Sequence, residues 1–116
     1  MKTTPKLVIA LAALLLLVQP LCAITWTEID FPGASTTVIS GINTAGDMVG
    51  SYLNPGSFTI HGFADIAGVF TTVDPRGAVD TNAYAINDSG SIVGRFSNDN
   101  QTNHGFLLQG HDLHHH

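Results

Sequence analysis

Ten residues, GINTAGDMVG at positions 41–50, return 44 positions later as AINDSGSIVG at 85–94. The match extends both ways. Upstream, WTEIDFPGASTT (26–37) lies over FTTVDPRGAVDT (70–81), so that Thr27, Asp30, Gly33, Ala34 and Thr37 recur as Thr71, Asp74, Gly77, Ala78 and Thr81. Downstream one residue is lost, and His61-Gly62-Phe63 returns as His104-Gly105-Phe106. Other pairs are similar in kind: Trp26 and Phe70, Ile29 and Val73, Met48 and Ile92, Tyr52 and Phe96. This is an internal duplication, and a duplicated unit of this length dictates a repeat architecture before any residue-level reading.

Each unit reads as short strands and turns. Thr37–Ile42 is rich in β-branched residues, which suit a pleated surface. Asn43-Thr44-Ala45-Gly46 and Asn87-Asp88-Ser89-Gly90 carry turn chemistry: Asn bonds its own backbone two residues on, and Gly takes positive φ. Asp47–Leu53 and Ser91–Ser97 then return as strands and make hairpins. Gly50 and Gly94 fall inside those return strands, where a glycine marks a bulge or a close backbone approach. A third strand is expected through His61–Ile66 and again through His104–Gln109. A fourth covers Val69–Val73, matched one unit earlier by Thr25–Ile29, and turn residues of Asp-Phe-Pro-Gly and Asp-Pro-Arg-Gly close it. No segment after the N-terminal leader sustains a 3.6-residue apolar period, so no helix is expected there.

The expected fold is all-β: two tandem four-stranded antiparallel blade-like repeats of about 44 residues, propeller-like or a partial propeller. The domain organisation is 1–23 leader, 24–69 first repeat, 70–110 second repeat and 111–116 a His-rich tail. The apolar positions Ile42, Val49, Phe63 and Val73, with Ile86, Val93 and Phe106, would fill the space between sheets. Two units leave open edges, and an exposed edge strand pairs with what is available. The chain must therefore assemble with copies of itself, fold its two sheets face to face, or be a fragment of a longer array, and self-association through those edges is the expected partnership.

The leader is a compartment signal. Lys2 and Lys6 precede the unbroken apolar run Leu7–Val18, and Gln19-Pro20-Leu21-Cys22-Ala23 follows with a breaker and then a small residue. This is the layout of a secretory signal peptide, with cleavage expected after Ala23. The run is shorter than the roughly 20 residues that a membrane helix needs, so no stable span is expected after cleavage. The only cysteine, Cys22, departs with the leader, leaving neither disulfide nor thiol chemistry. Arg76 and Arg95 then face nine acids, a balance of −7 with no lysine. Phosphate contacts need Lys or Arg, so the composition argues against nucleic-acid binding and against anionic membrane surfaces.

The pattern G-I-N-x-x-G-x-x-V-G, then H-G-F, then F-T-T-[IV]-D with a nearby P-G-A, resembles the bacterial HAF-type extracellular repeat. It stands here as GINTAGDMVG, HGF and FTTVDPRGA, then AINDSGSIVG and HGF, over nearly all of 24–110. The resemblance implies an exported bacterial protein of repeated β units. It implies no activity and no catalytic residue. The family motif would continue after Gly110 with another F-T-T-[IV]-D-like strand, whereas the chain reads HDLHHH, which sets a truncated piece of a longer repeat protein beside the other readings.

Several residues carry potential chemistry. His61 and His104 could be paired ligands or a general base, since His titrates near neutrality. The architectural reading is one structural hydrogen bond per unit, and it is favoured because a catalytic site needs different groups converging at one place. Asp30 and Asp74 could serve as acid and base in glycoside hydrolysis. Equivalent positions share similar environments, however, whereas such a pair needs distinct ones, so the turn-forming role is preferred. Ser97–Asn103 is dense in oxygen ligands for Ca²⁺ but has one carboxylate and lacks EF-hand spacing. His111, His114, His115 and His116 could bind transition metals adventitiously. Asn87-Asp88-Ser89 and Asn100-Gln101-Thr102 fit an N-glycosylation pattern, which is accidental in a bacterial chain.

No catalytic, cofactor or metal residue is therefore assigned. The motif residues Asn43, Gly46, Gly50, His61, Gly62, Phe63, Asn87, Gly90, Gly94, His104, Gly105 and Phe106 are read as structural. The expected function is non-enzymatic binding or assembly at or outside the cell envelope. The alternatives are an extracellular polysaccharide hydrolase and a functionless fragment.

Overall fold

The computed structural model describes residues 23–109. The leader up to Cys22, and Gly110 with the histidine tail, lie outside the described residues. Seven strands run in order: β1 (Thr36–Ile42), β2 (Met48–Leu53), β3 (His61–Ile66), β4 (Val69–Thr72), β5 (Asp80–Ile86), β6 (Ile92–Ser97) and β7 (His104–Leu108). They form two antiparallel meanders, β1-β2-β3-β4 and β5-β6-β7, and neither closes on itself. Among the described residues there is no helix. The all-β expectation holds, but the strand count does not. The second sheet has three strands rather than four, and residues 25–29, matched in sequence to β4, join no sheet. An isolated extended segment has no neighbour to satisfy its ladder, so sequence likeness to β4 cannot make it a strand by itself.

The two first hairpins show why the opening motif repeats. In the first, the Asn43 side-chain oxygen accepts from Asp47 N at 2.9 Å, and Gly46, at φ +90°, donates to Asn43 O at 3.1 Å. In the second, Asn87 Oδ1 accepts from Ser89 N and Ser91 N at 3.0 and 2.9 Å. Gly90, at φ +86°, closes that turn in the same way. The strand pairing then slips once in each sheet, between Ile39 and Gly41 and between Ala83 and Ala85. Gly50 and Gly94 sit opposite these bulges, and a Cβ there would overlap the carbonyl oxygens of Val38 and Asn82. The last glycine of each motif is what lets the bulged backbone pass.

The core lies between the sheets. β5 crosses β1, β2 and β3, and Val49, Ala64 and Val73 meet Ala83, Ile86 and Ile92. Side chains alternate along a strand. Val49 and Ala64, which are paired, face the second sheet, while Phe63, paired with Gly50, and Tyr52 face the other way. On that far face Phe31 stacks on Tyr52 with ring centroids 3.8 Å apart, and meets Phe63 and Phe70 edge-on at 5.8 Å each. The first sheet thus has two apolar faces, one covered by the second sheet and the other covered partly by Phe31.

Ile92 is fully buried between the sheets, whereas Phe58 is 96% exposed. Ile92→Ala is expected to cost about 2–5 kcal/mol in a denaturant unfolding experiment, and Phe58→Ala less than about 0.5 kcal/mol.

Candidate functional site

One polar cluster surrounds His61 at the start of β3. Its Nδ1 lies 2.7 Å from Asp74 Oδ2, and the pair is about one-quarter exposed. The other Asp74 oxygen accepts from Gly62 N at 3.1 Å. Asp74 follows β4, and Val73 N donates to Gly62 O at 2.8 Å, so the carboxylate prolongs the β3–β4 ladder by one rung. The His61 ring lies against Tyr52 at 5.1 Å, and Tyr52 Oη shares a hydrogen bond of 2.7 Å with Thr72 Oγ1. A His–Asp pair of this kind orients the imidazole and leaves Nε2 for another partner. To act as a general base it would also need a substrate cleft and a reacting group within reach.

The repeat-related residues do not assemble into a second such pair. His104 lies against Phe96 at 5.3 Å, as His61 lies against Tyr52, but it is exposed. Among the described residues His61–Asp74 is the sole ion pair, so no carboxylate meets His104. Asp30 is exposed as well. The candidate acid–base pair therefore divides: Asp74 is held by His61 and Gly62, whereas Asp30 has no such partner among the described residues. His61 and His104 likewise belong to different sheets.

The oxygen-rich loop satisfies its own backbone. Asp99 Oδ1 accepts from Gln101 N and Thr102 N at 2.8 Å each and from Ser97 Oγ at 3.1 Å. The Thr102 and Gln101 amides, in that order, hold the Asp99 carboxyl below its ordinary range. Among the described residues no group of three His, Cys, Asp or Glu side chains is placed to hold a metal ion. The four tail histidines lie outside them.

Two clefts of about 270 Å³ each are open at the surface. One runs between Thr72–Pro75 and Phe106–Leu108, beside the free edge of β7. The other, lined by residues including Val38, Tyr52 and Asn82, is mostly apolar in character. His61 lines neither of these, although Thr72 and Asp74 of its cluster line the first and Tyr52 the second.

A set of contacts that sequence reading missed joins the two units. Thr44 N and Thr44 Oγ1 donate to the Asp88 carboxylate at 2.9 and 3.0 Å, and Asn43 Nδ2 donates to Asn87 O at 3.0 Å. Ile60 N donates to Asp80 Oδ1, and Thr81 N to Ile60 O, each at 2.9 Å. Asp80 and Asp88 replace Thr36 and Thr44 of the first unit. Part of the signal was there: at both Thr-to-Asp differences between the units, the aspartate bonds the other copy.

Compared with family models, curated proteins and solved structures, the chain matches none. No helix among the described residues is long and apolar enough to cross a membrane.

Asp99 titrated by NMR is expected to show a midpoint below 3.8. Because its folded pKa is depressed, its contribution to stability is full above the ordinary carboxylate range and is lost as pH falls through the lowered value. A double-mutant cycle of Thr44→Ala and Asp88→Ala, read by denaturant unfolding, is expected to give a coupling of about 0.5–1.5 kcal/mol. Additive losses would mean that the turn-to-turn bonds contribute nothing.

Proposed function

We propose that this chain is an exported bacterial β-repeat protein without catalytic activity, whose role is binding or assembly at or outside the cell envelope. Its sheets serve as blade-like units of a propeller-type array, as the likeness to the HAF-type extracellular repeat implies. One observation carries the reading: the residues that recur in both units work for the backbone. Asn43 and Asn87 shape turns, Gly50 and Gly94 admit bulges, and His61 anchors the Asp74 carboxylate that extends a ladder. A catalytic centre requires unlike groups brought to one point beside a cleft. Here His61 lines neither cleft described, and Thr72 and Asp74, which line the first, are engaged with Tyr52, His61 and Gly62.

The leader supports export, and the acidic, lysine-free remainder supports partners other than nucleic acid. Expression with the leader in a bacterial host, followed by fractionation and N-terminal sequencing, is expected to yield an exported chain beginning at Ile24. Retention in the cytoplasm with Met1 in place would overturn export. The exported protein is expected to turn over no member of a glycan and peptide substrate panel. Turnover abolished by His61→Ala with the fold intact would overturn the non-catalytic reading and favour the hydrolase.

A further inference from the structure

The duplication and the sheets are out of phase. In sequence, the strand that ends a sheet opens each unit: Trp26–Asp30 the first and Phe70–Asp74 the second. In space, β4 belongs to the sheet before it and pairs with β3. The first sheet therefore has its fourth strand, the second sheet ends at β7 among the described residues, and residues 25–29, the sequence counterpart of β4, belong to no sheet.

The β3–β4 pairing shows how that segment would dock on β7. Phe70, Thr71 and Thr72 pair with Asp65, Ala64 and Phe63. Val73 N donates to Gly62 O, and Asp74 bridges Gly62 N and His61. Carried over by the repeat, Trp26, Thr27 and Glu28 would pair with Leu108, Leu107 and Phe106. Ile29 N would donate to Gly105 O, and Asp30 would bridge Gly105 N and His104. Phe70 packs on Phe63 and Phe31, whose counterparts are Phe106 and Pro75. Those two residues line the cleft of about 270 Å³ beside β7. Trp26, the counterpart of Phe70, is 93% exposed. The cleft stands where the missing ring would lie.

The segment cannot reach its own β7. Phe31 is fixed on the face of the first sheet turned away from the second. Asp30 is one residue from it, a reach of about 3.6 Å, while stacked sheets are about 10 Å apart. The chain's outer faces are also the two halves of its internal contact. Ile42 is 64% exposed where its counterpart Ile86 is 8%, and Val93 is 44% exposed where Val49 is fully buried. We propose that copies of this chain join head to tail, Thr25–Asp30 of one completing the second sheet of the next beside β7, with Trp26 in the Pro75–Phe106 cleft and Asp30 on His104. This names the partner of the assembly role proposed above and rests on that reading. The contact is heterologous, so repetition gives a ring or a filament according to whether its rotation closes.

The test uses the exported protein and its single tryptophan. Sedimentation over a broad dilution series is expected to show species larger than the monomer, with Trp26 emission blue-shifted in them and red-shifted on dilution. Two variants separate the halves. Trp26→Ala with Asp30→Ala removes the donor strand's anchors. Leu107→Pro removes an N–H of β7: Gly62 points its amide toward β4, so by alternation Leu107 points its own to the free edge, and the β6 ladder is untouched. Each variant alone is expected to be monomeric with unchanged far-UV circular dichroism, and an equimolar mixture to form one-to-one dimers and nothing larger. An exported chain that stays monomeric with exposed Trp26 emission overturns the assembly while leaving the export reading intact; a chain that is not exported overturns that reading instead. Should Leu107→Pro fail to fold, Trp26 emission in the unaltered chain still decides.

Discussion

The contact between the two sheets is the constraint on which the rest of the structure depends. A four-stranded and a three-stranded meander of this size each depend on a hydrophobic face that must be kept from water. Val49 and Ala64 supply that face on one side, and Ile86 and Ile92 on the other. Close approach is required for so few side chains to fill the gap. Gly41 and Gly62 provide it: a Cβ at Gly41 would lie 2.8 Å from Tyr84 O, and one at Gly62 would lie 2.5 Å from Val73 O and 2.9 Å from Thr81 Cγ2. The polar contacts follow from the same proximity. Once β5 lies across the first sheet, the two turns meet, and Asp88 can cap Thr44.

Packing this tight leaves some polar groups in apolar surroundings. Thr81 is fully buried, and its Oγ1 has no hydrogen-bond partner, while its methyl fills the space beside Gly62. Asp65 on β3 is buried, with one carboxylate oxygen unpartnered. Asp65 has the same side-chain sense as Phe63 and so belongs to the face turned away from the second sheet. Its repeat counterpart is the apolar Leu108. The faces are therefore near-copies rather than copies, and a neighbour on the first sheet would meet a carboxylate where the second sheet presents leucine.

Much of the first layer of this structure was legible in the sequence. The Asn–Gly turns, the bulges opposite Gly50 and Gly94, and the β-only character follow from local chemistry, which a duplicated sequence states twice. The strand boundaries of β2, β3 and β7 fall close to where the repeat and its turn residues placed them. What could not be read locally was the phase. Whether Phe70–Val73 opens the second sheet or closes the first depends on which neighbour it hydrogen-bonds, a long-range choice fixed by Asp74 reaching back to His61 and Gly62. The same choice explains why Thr25–Ile29 is not a strand: its sequence is right and its neighbour is missing. Among the candidate site residues, sequence pairing of His61 with His104 and of Asp30 with Asp74 suggested like with like. The structure instead joins unlike members, His61 with Asp74.

That regrouping bears on how an edge like β7 is managed. Sheet edges are commonly blunted by lysine, by proline or by a covering loop. The sequence after the leader has no lysine at all, and β7 carries no proline. Its flanking groups are instead the ones that engage a strand in the first sheet: a histidine awaiting a carboxylate, a glycine amide beside it, and an apolar slot. A formal net charge of −5 keeps copies apart at long range, but at the ionic strength of ordinary media that repulsion fades within about 10 Å, whereas ladder bonds and aromatic burial act at contact. An edge shaped by the same residues that hold β4 discriminates by register as well as by hydrophobicity, since a one-residue slip would turn Trp26 away from the cleft and carry Asp30 off His104.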